Sequence, residues 1–116
     1  MDTAPVGLAP GKDVTREKIE DKYDVLLMID VTQHIVKESL FKKALANCRE
    51  AVLPGGHFIV TSWLRPYQKF SEEEVMRPLS AYLPAFANWT LTGPFPFKDK
   101  FIMAFTRPAE DHGKDA

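Results

Sequence analysis

Cysteine is nearly absent from this sequence of 116 residues. The single Cys48 excludes an internal disulfide and any zinc site built from paired cysteines, and the isolated His57 and His112 indicate no metal site either. Apolar runs of the ~18–20 residues that cross a bilayer are missing. The 15 basic and 16 acidic residues nearly cancel, which gives no electrostatic case for nucleic acid. These absences predict a cytoplasmic protein without a membrane or nucleic-acid partner.

The two ends of the chain differ in composition from its middle. Residues 1–12 contain two prolines and two glycines without hydrophobic periodicity, which predicts a flexible arm. Residues 107–116 are polar and lack an apolar face, which predicts a disordered tail. Residues 13–106 therefore form the packed unit, and a unit of this size can bury a single thin core.

The first part of this unit has the pattern of a strand, a helix and a second strand. Residues 23–29 are apolar without alternation, as in a strand covered on both faces, and residues 57–63 are similar. Between them, residues 38–52 place apolar side chains on one helical face. Residues 53–56 (LPGG) predict the end of that helix, with a glycine as the left-handed cap. Short connections then predict two parallel strands.

The second part predicts a helix and a closing hairpin. Ser71, three residues before Glu74, matches a capping box that opens a helix toward Tyr82, with a break at Pro78. Residues 88–93 and 100–106 are strand-like, and the proline-rich residues between them turn the chain back. An antiparallel hairpin is therefore expected at the end of the fold.

Two motifs resemble a known family. Residues 22–24 (KYD) and 30–35 (DVTQHI) resemble the fourth strand and following loop of class I S-adenosylmethionine-dependent methyltransferases of the small-molecule branch. Residues 53–56 resemble the turn into the family's fifth strand, and the closing hairpin resembles its sixth and seventh strands. The resemblance implies an α/β fold: part of a Rossmann-like sheet equivalent to strands 4-5-7-6, with an antiparallel closing hairpin and flanking helices.

The glycine-rich cofactor cradle of that family has no counterpart here. The family holds S-adenosylmethionine at a glycine-rich turn after its first strand. None of the six glycines forms a G-x-G, and 22 residues precede the strand that begins at Tyr23. The resemblance thus implies the C-terminal half of a methyltransferase, a truncated form that needs a missing N-terminal half or a partner. The alternative is a non-catalytic binding or interaction domain derived from a methyltransferase.

The resemblance also implies site residues for the cofactor and for a small-molecule acceptor. Ile29, Asp30 and Val31 would contact the methionine portion of the cofactor, although Asp30 could instead be a solvated carboxylate that caps the next turn. Asp13 matches the acidic residue near the adenine, and helix capping is its other reading. His34 could be a general base, since imidazole titrates near neutral pH, or a loop histidine that bonds backbone carbonyls.

Assembly follows from the same comparison. The family's equivalent of residues 23–29 is an internal strand, whereas here its neighbour on one side is missing. The strand lacks proline, and Asp24 is its one charge, so the usual protection of a sheet edge is weak. We therefore expect a homodimer through the edge formed by residues 23–29, or pairing with a chain that supplies the missing half.

Overall fold

The structure, a computed structural model, describes residues 21–69 and 71–109. Within these ranges, four strands form the main sheet and two short strands form a hairpin beside it. Three 3₁₀ turns accompany one α-helix there. The elements, in chain order, are β1 (Tyr23–Met28), a 3₁₀ turn (Thr32–His34), α1 (Glu38–Ala51), β2 (Val52–Ser62), β3 (Gln68–Lys69), β4 (Val75–Met76), 3₁₀ turns (Leu79–Ala81 and Leu83–Phe86), β5 (Thr90–Phe97) and β6 (Lys100–Thr106).

The main sheet has the strand order β1-β2-β6-β5. β1 runs parallel to β2, with Val25 opposite His57 and Met28 opposite Val60. β6 lies antiparallel between β2 and β5. The expected α/β fold, a parallel pair linked by a helix and completed by an antiparallel hairpin, is confirmed.

The core lies between one face of the sheet and α1. The helix has the predicted amphipathic face, and the last 3₁₀ turn adds Phe86, whose ring stacks on Phe58 at 5.1 Å and on Phe105 at 4.6 Å. Stacked aromatic rings bury much apolar area in a small fold. The buried apolar side chains are Leu26, Met28, Ile35, Phe41, Ala44, Leu45, Cys48, Ala51, Val52, Phe58, Val60, Val75, Tyr82, Phe86, Trp89, Met103 and Phe105.

β1 is covered on one face within the described residues. Leu26 and Met28 are buried toward α1, whereas Val25 on the opposite face is 43% exposed. The expectation of a strand covered on both faces was wrong. Within residues 21–69 and 71–109, a single layer, that of α1, packs on the sheet. A continuous apolar run shows that both faces of a strand are suited to burial. It does not show that other elements cover both faces.

Residues 53–56 do not form the predicted helix cap. α1 ends at Ala51, Val52 is already extended, and β2 runs through these residues with an irregular pairing to β1. Gly55 has a φ of 80°, but its N–H donates to the carbonyl of Arg107 at 3.0 Å. A Cβ on Gly56 would lie 2.7 Å from the carbonyl oxygen of Asp24, so this strand approaches β1 too closely for a side chain.

The capping box at Ser71 forms a hairpin turn instead of a helix. The Ser71 N–H donates to the Glu74 carbonyl at 3.1 Å, and β3 and β4 pair on either side of this turn. A helix at this point would pull Arg77 away from the buried position that it occupies next to Pro78. Tertiary contacts of that one side chain therefore override the local capping signal.

The ends of the predicted unit are partly described. Arg107, assigned to the disordered tail, pairs its N–H with the Gly56 carbonyl at 2.9 Å. The pairing with β2 thus continues past residue 106. The predicted arm at residues 1–12 lies outside the described residues. No described helix is long and apolar enough to cross a membrane.

Candidate functional site at the carboxyl edge of the sheet

The loop that follows β1 leaves the sheet at its carboxyl edge. Ligands bind at this edge in open α/β sheets. Asp30 has a φ of 59°, a left-handed conformation that turns the chain sharply after the strand. Its N–H donates to Oγ1 of Thr61 on the neighbouring β2 at 2.8 Å. This bond fixes the turn and leaves the Asp30 side chain about half exposed.

Lys100, the first residue of β6, pairs with Asp30 across the intervening strand β2. Because β6 is antiparallel to β2, its first residue lies at the edge where β1 and β2 end. The Lys100 Nζ lies 3.2 Å from Oδ1 of Asp30 and 3.0 Å from Oδ1 of Asp99, and 5.8 Å from the centre of the Trp63 ring. The hydrogen bond with Asp99 raises the pKa of Lys100 and lowers the pKa of the Asp99 carboxyl. One ammonium thus serves two carboxylates, and the cluster keeps a net negative charge.

A series of buried hydrogen bonds through Thr32, Thr61 and Tyr82 supports the loop after β1. Oγ1 of Thr32 donates to the Thr61 carbonyl at 3.2 Å and lies 2.8 Å from the hydroxyl of Tyr82. Burial raises the pKa of Tyr82, so its phenol stays neutral and can donate to Thr32. Each hydroxyl in this chain therefore has a partner, as buried hydroxyls require.

Arg77 clamps the same loop against the start of α1. Arg77 is 2% exposed, and its guanidinium donates to the carbonyls of Thr32 at 3.2 Å and Ile35 at 2.6 Å. Its Nε donates to Oε2 of Glu38 at 2.9 Å, and the group lies 3.9 Å from the centre of the Phe41 ring. The fork geometry of arginine suits this set of acceptors, which a lysine could not reproduce. The loop is consequently a preorganised element.

No family model matches the sequence, and no curated protein matches it. Solved structures do match. An O-methyltransferase family protein from Burkholderia thailandensis superposes with a TM-score of 0.68 at 12% identity, over 86% of this chain and 35% of that one. The fold is that of a class I methyltransferase.

Two further methyltransferases show the same likeness with a bound cofactor or product. An amino pentose methyltransferase from Micromonospora echinaspora, solved with S-adenosylmethionine, gives a TM-score of 0.65 at 12% identity, over 84% of this chain and 66% of that one. The N-methyltransferase NodS from Bradyrhizobium japonicum, solved with S-adenosylhomocysteine, gives 0.62 at 13% identity, over 84% and 52%. The chain thus spans about a third to two thirds of the length of these methyltransferases.

The structure brings the predicted residues after β1 together at one edge. Ile29 and Val31 are half-buried on either side of the exposed Asp30. His34 follows in the 3₁₀ turn, and its Nδ1 lies 3.3 Å from the carbonyl oxygen of Glu73. Asp13 lies outside the described residues. Three of the predicted cofactor residues and the predicted base therefore share one loop of this methyltransferase fold.

The sequence pattern did not identify the residues that hold this loop. Arg77 and Lys100 are distant in sequence from Asp30, and no local motif marks either. Gln33 in the same loop is 8% exposed, and its Oε1 has no hydrogen-bond partner among residues 21–69 and 71–109. A buried acceptor without a donor is uncommon in folded proteins. The exposed Asp30 carboxylate fits a group that carries N–H donors, as the amino group of S-adenosylmethionine does.

Proposed function

We propose that this chain is the C-terminal half of an S-adenosylmethionine-dependent methyltransferase and acts with a polypeptide that supplies the glycine-rich cradle. One observation carries the proposal: in a methyltransferase fold, the loop after β1 is held rigid and presents the Asp30 carboxylate. Arg77 and Tyr82 hold that loop through buried hydrogen bonds. Preorganised groups of this kind favour binding and transfer, because little ordering is left to be done when the ligand arrives.

Each residue of the loop has a role in this proposal. The Asp30 carboxylate and the backbone of Ile29 and Val31 receive the methionine portion of the cofactor, and S-adenosylmethionine supplies the electrophilic methyl group. His34 removes a proton from a small-molecule acceptor. If its Nδ1–H donates to the Glu73 carbonyl, the neutral ring keeps a lone pair on Nε2 for that proton.

A non-catalytic interaction domain is the second candidate function, and a specific contact favours it. The Lys100 ammonium lies 3.2 Å from the Asp30 carboxylate. It therefore already forms the ion pair that the ammonium group of a cofactor would form with Asp30. A ligand therefore has to compete with an ion pair at the centre of the site. The second candidate requires that no cradle-bearing partner restores cofactor binding.

The isolated chain should bind S-adenosylmethionine with a Kd no tighter than the millimolar range, about −4 kcal/mol. The reason is that none of the six glycines forms a G-x-G turn, so a cradle for the adenosine portion is missing from the sequence. Isothermal titration calorimetry of the pure chain with S-adenosylmethionine and S-adenosylhomocysteine measures this. A low micromolar Kd for the chain alone would contradict the requirement for a partner.

The proposed function is tested by reconstitution. The chain is mixed with a polypeptide from the same genome that carries a glycine-rich strand–turn–helix, and binding of S-adenosylhomocysteine is measured again. Binding in the micromolar range that weakens in Asp30→Asn supports the proposal. Glu50→Gln, the same carboxylate-to-amide change at an exposed position of α1, is the matched control. Unchanged millimolar binding with every such polypeptide would favour the non-catalytic domain.

A further inference from the structure

A groove lies between α1 and the two 3₁₀ turns Leu79–Ala81 and Leu83–Phe86. Its volume is about 370 Å³, which is within the range of sites that hold small molecules. It follows α1 from Lys42 to Arg49, and α1 itself runs from the carboxyl edge of the sheet toward the start of β2. The groove is therefore directed away from the loop that carries Asp30.

The floor of the groove is apolar and its walls are built from small side chains. Leu45, which is 1% exposed, contributes to the floor. Ala46 lines the groove from α1, and Ala81, Pro84 and Ala85 line it from the turns. A helix with its side chains is about 10–12 Å in diameter, so a groove of this volume suits a small molecule better than a partner helix. An apolar ligand is favoured, because its surface is removed from water on binding.

Arg49 is held in position at one end of this groove. Its Nη1 donates to the carbonyls of Ala85 at 3.0 Å and Ala87 at 3.5 Å, and its guanidinium lies 5.4 Å from the centre of the Trp89 ring. A guanidinium carries five N–H donors, and these two bonds use Nη1 alone. A planar group that is already ordered suits a carboxylate, because little side-chain entropy is lost when the ligand binds.

Lys42 adds a second positive charge on the same face of α1. It precedes Arg49 by seven residues, which is two helical turns or about 10 Å. Among the described residues that line the groove, none is acidic. The acids of α1 lie outside the lining: Glu38 pairs with Arg77 at 2.8 Å, and Glu50 is exposed. The groove therefore favours a negatively charged group over a positively charged one.

We propose that this groove binds a small apolar molecule that carries a carboxylate, such as a medium-chain alkyl carboxylate. The carboxylate pairs with the Arg49 guanidinium. The chain lies over Leu45, between Ala46 and Ala81, and Lys42 strengthens the positive potential. Burial of the chain supplies most of the affinity, and the guanidinium selects the charge of the ligand. The proposal concerns a surface remote from the loop after β1 and does not rest on the proposed function.

Decanoate and decylamine test the proposal, because they share a chain length and carry opposite charges. With the full chain, and below the micelle-forming concentrations of the probes, calorimetry should give decanoate a Kd about tenfold or more below that of decylamine. In two-dimensional ¹H–¹⁵N spectra, decanoate should shift the amide signals of residues 42–49 and 81–87, and not those of residues 29–34. Arg49→Gln should weaken decanoate binding about tenfold or more. Lys43→Gln, the same charge change at an exposed position of α1 outside the groove, should leave it unchanged.

Ala46→Glu separates the selection of charge from damage to the fold. Ala46 is exposed on α1 and glutamate is a good helix former, so the helix is kept. The new carboxylate in the groove should weaken the binding of decanoate and strengthen that of decylamine. A variant in which the groove is merely disturbed would weaken both.

Several results would overturn the proposal. Equal Kd values for the two probes, or decanoate binding that is indifferent to Arg49→Gln, would mean that the groove does not select a carboxylate. Shifts confined to the open face of the sheet around Phe95 and Ile102 would place the binding of decanoate at the apolar cavity there. No binding of decanoate at millimolar concentration, together with binding of a glutamate-rich amphipathic helical peptide, would assign the groove to a protein partner. Cofactor binding enters none of these measurements, so they succeed or fail independently of the proposed function.

Discussion

Replacing Arg77 with methionine should lower the free energy of unfolding by about 3–5 kcal/mol. Methionine fills much of the same space and keeps a contact with the Phe41 ring. It cannot donate to the carbonyls of Thr32 and Ile35, which the guanidinium serves from a buried position. Each buried acceptor left without a donor costs about 1–3 kcal/mol. Urea unfolding followed by circular dichroism measures the loss.

Glu38→Gln is the matched control, because it removes the charge of the other partner in the ion pair. The Glu38 side chain is 48% exposed, so water screens the pair and its contribution is about 1 kcal/mol or less. The amide oxygen still accepts from Arg77. A loss for Glu38→Gln as large as that for Arg77→Met would mean that the ion pair, and not the bonds to the carbonyls, stabilises the loop.

The parallel pair and its helix could be predicted because their signals are local. The apolar run before Asp30 and the helical spacing through Leu45 and Cys48 each lie within one element, and burial of that element follows its pattern. The closing hairpin was predictable for the same reason. Its turn is shorter than expected, since β5 extends to Phe97 and residues 98–99 alone reverse the chain.

The segment that contains Ser71 was mispredicted because its structure is set by contacts of Arg77 with residues distant in sequence. Arg77 must reach the carbonyls that follow β1, and an extended chain places it there. The local capping signal at Ser71 is worth about 1 kcal/mol, less than the buried hydrogen bonds that compete with it. Local propensity loses when a buried charge requires another backbone path.

Part of the candidate site could be predicted from local sequence, and the rest depends on how distant elements pack. Asp30 could be placed at the carboxyl edge because it ends a strand, and its position needs no knowledge of other elements. Lys100 could not be assigned to that site, because the contact depends on β6 starting where β1 ends. The burial of Gln33 could not be predicted either, since the burial of a loop side chain is decided by the elements packed around it.

Leu45→Ala should lower the free energy of unfolding by about 2–5 kcal/mol. Leu45 is 1% exposed on the buried face of α1, where it belongs to the hydrophobic core of the fold. Its truncation leaves a cavity that a helix fixed at both ends cannot close. A domain of this size has about 5–15 kcal/mol in total, so the variant should melt at least about 8 °C below the parent in differential scanning calorimetry.

Leu83→Ala provides the comparison for this prediction, because it removes the same atoms from a side chain that is 42% exposed. Its effect should stay within about 0.5 kcal/mol, as for other surface substitutions. The difference between the two leucines then measures burial against the sheet. Equal melting temperatures for the two variants would mean that α1 packs with a different face, and the assignment of the core to that side of the sheet would fail with it.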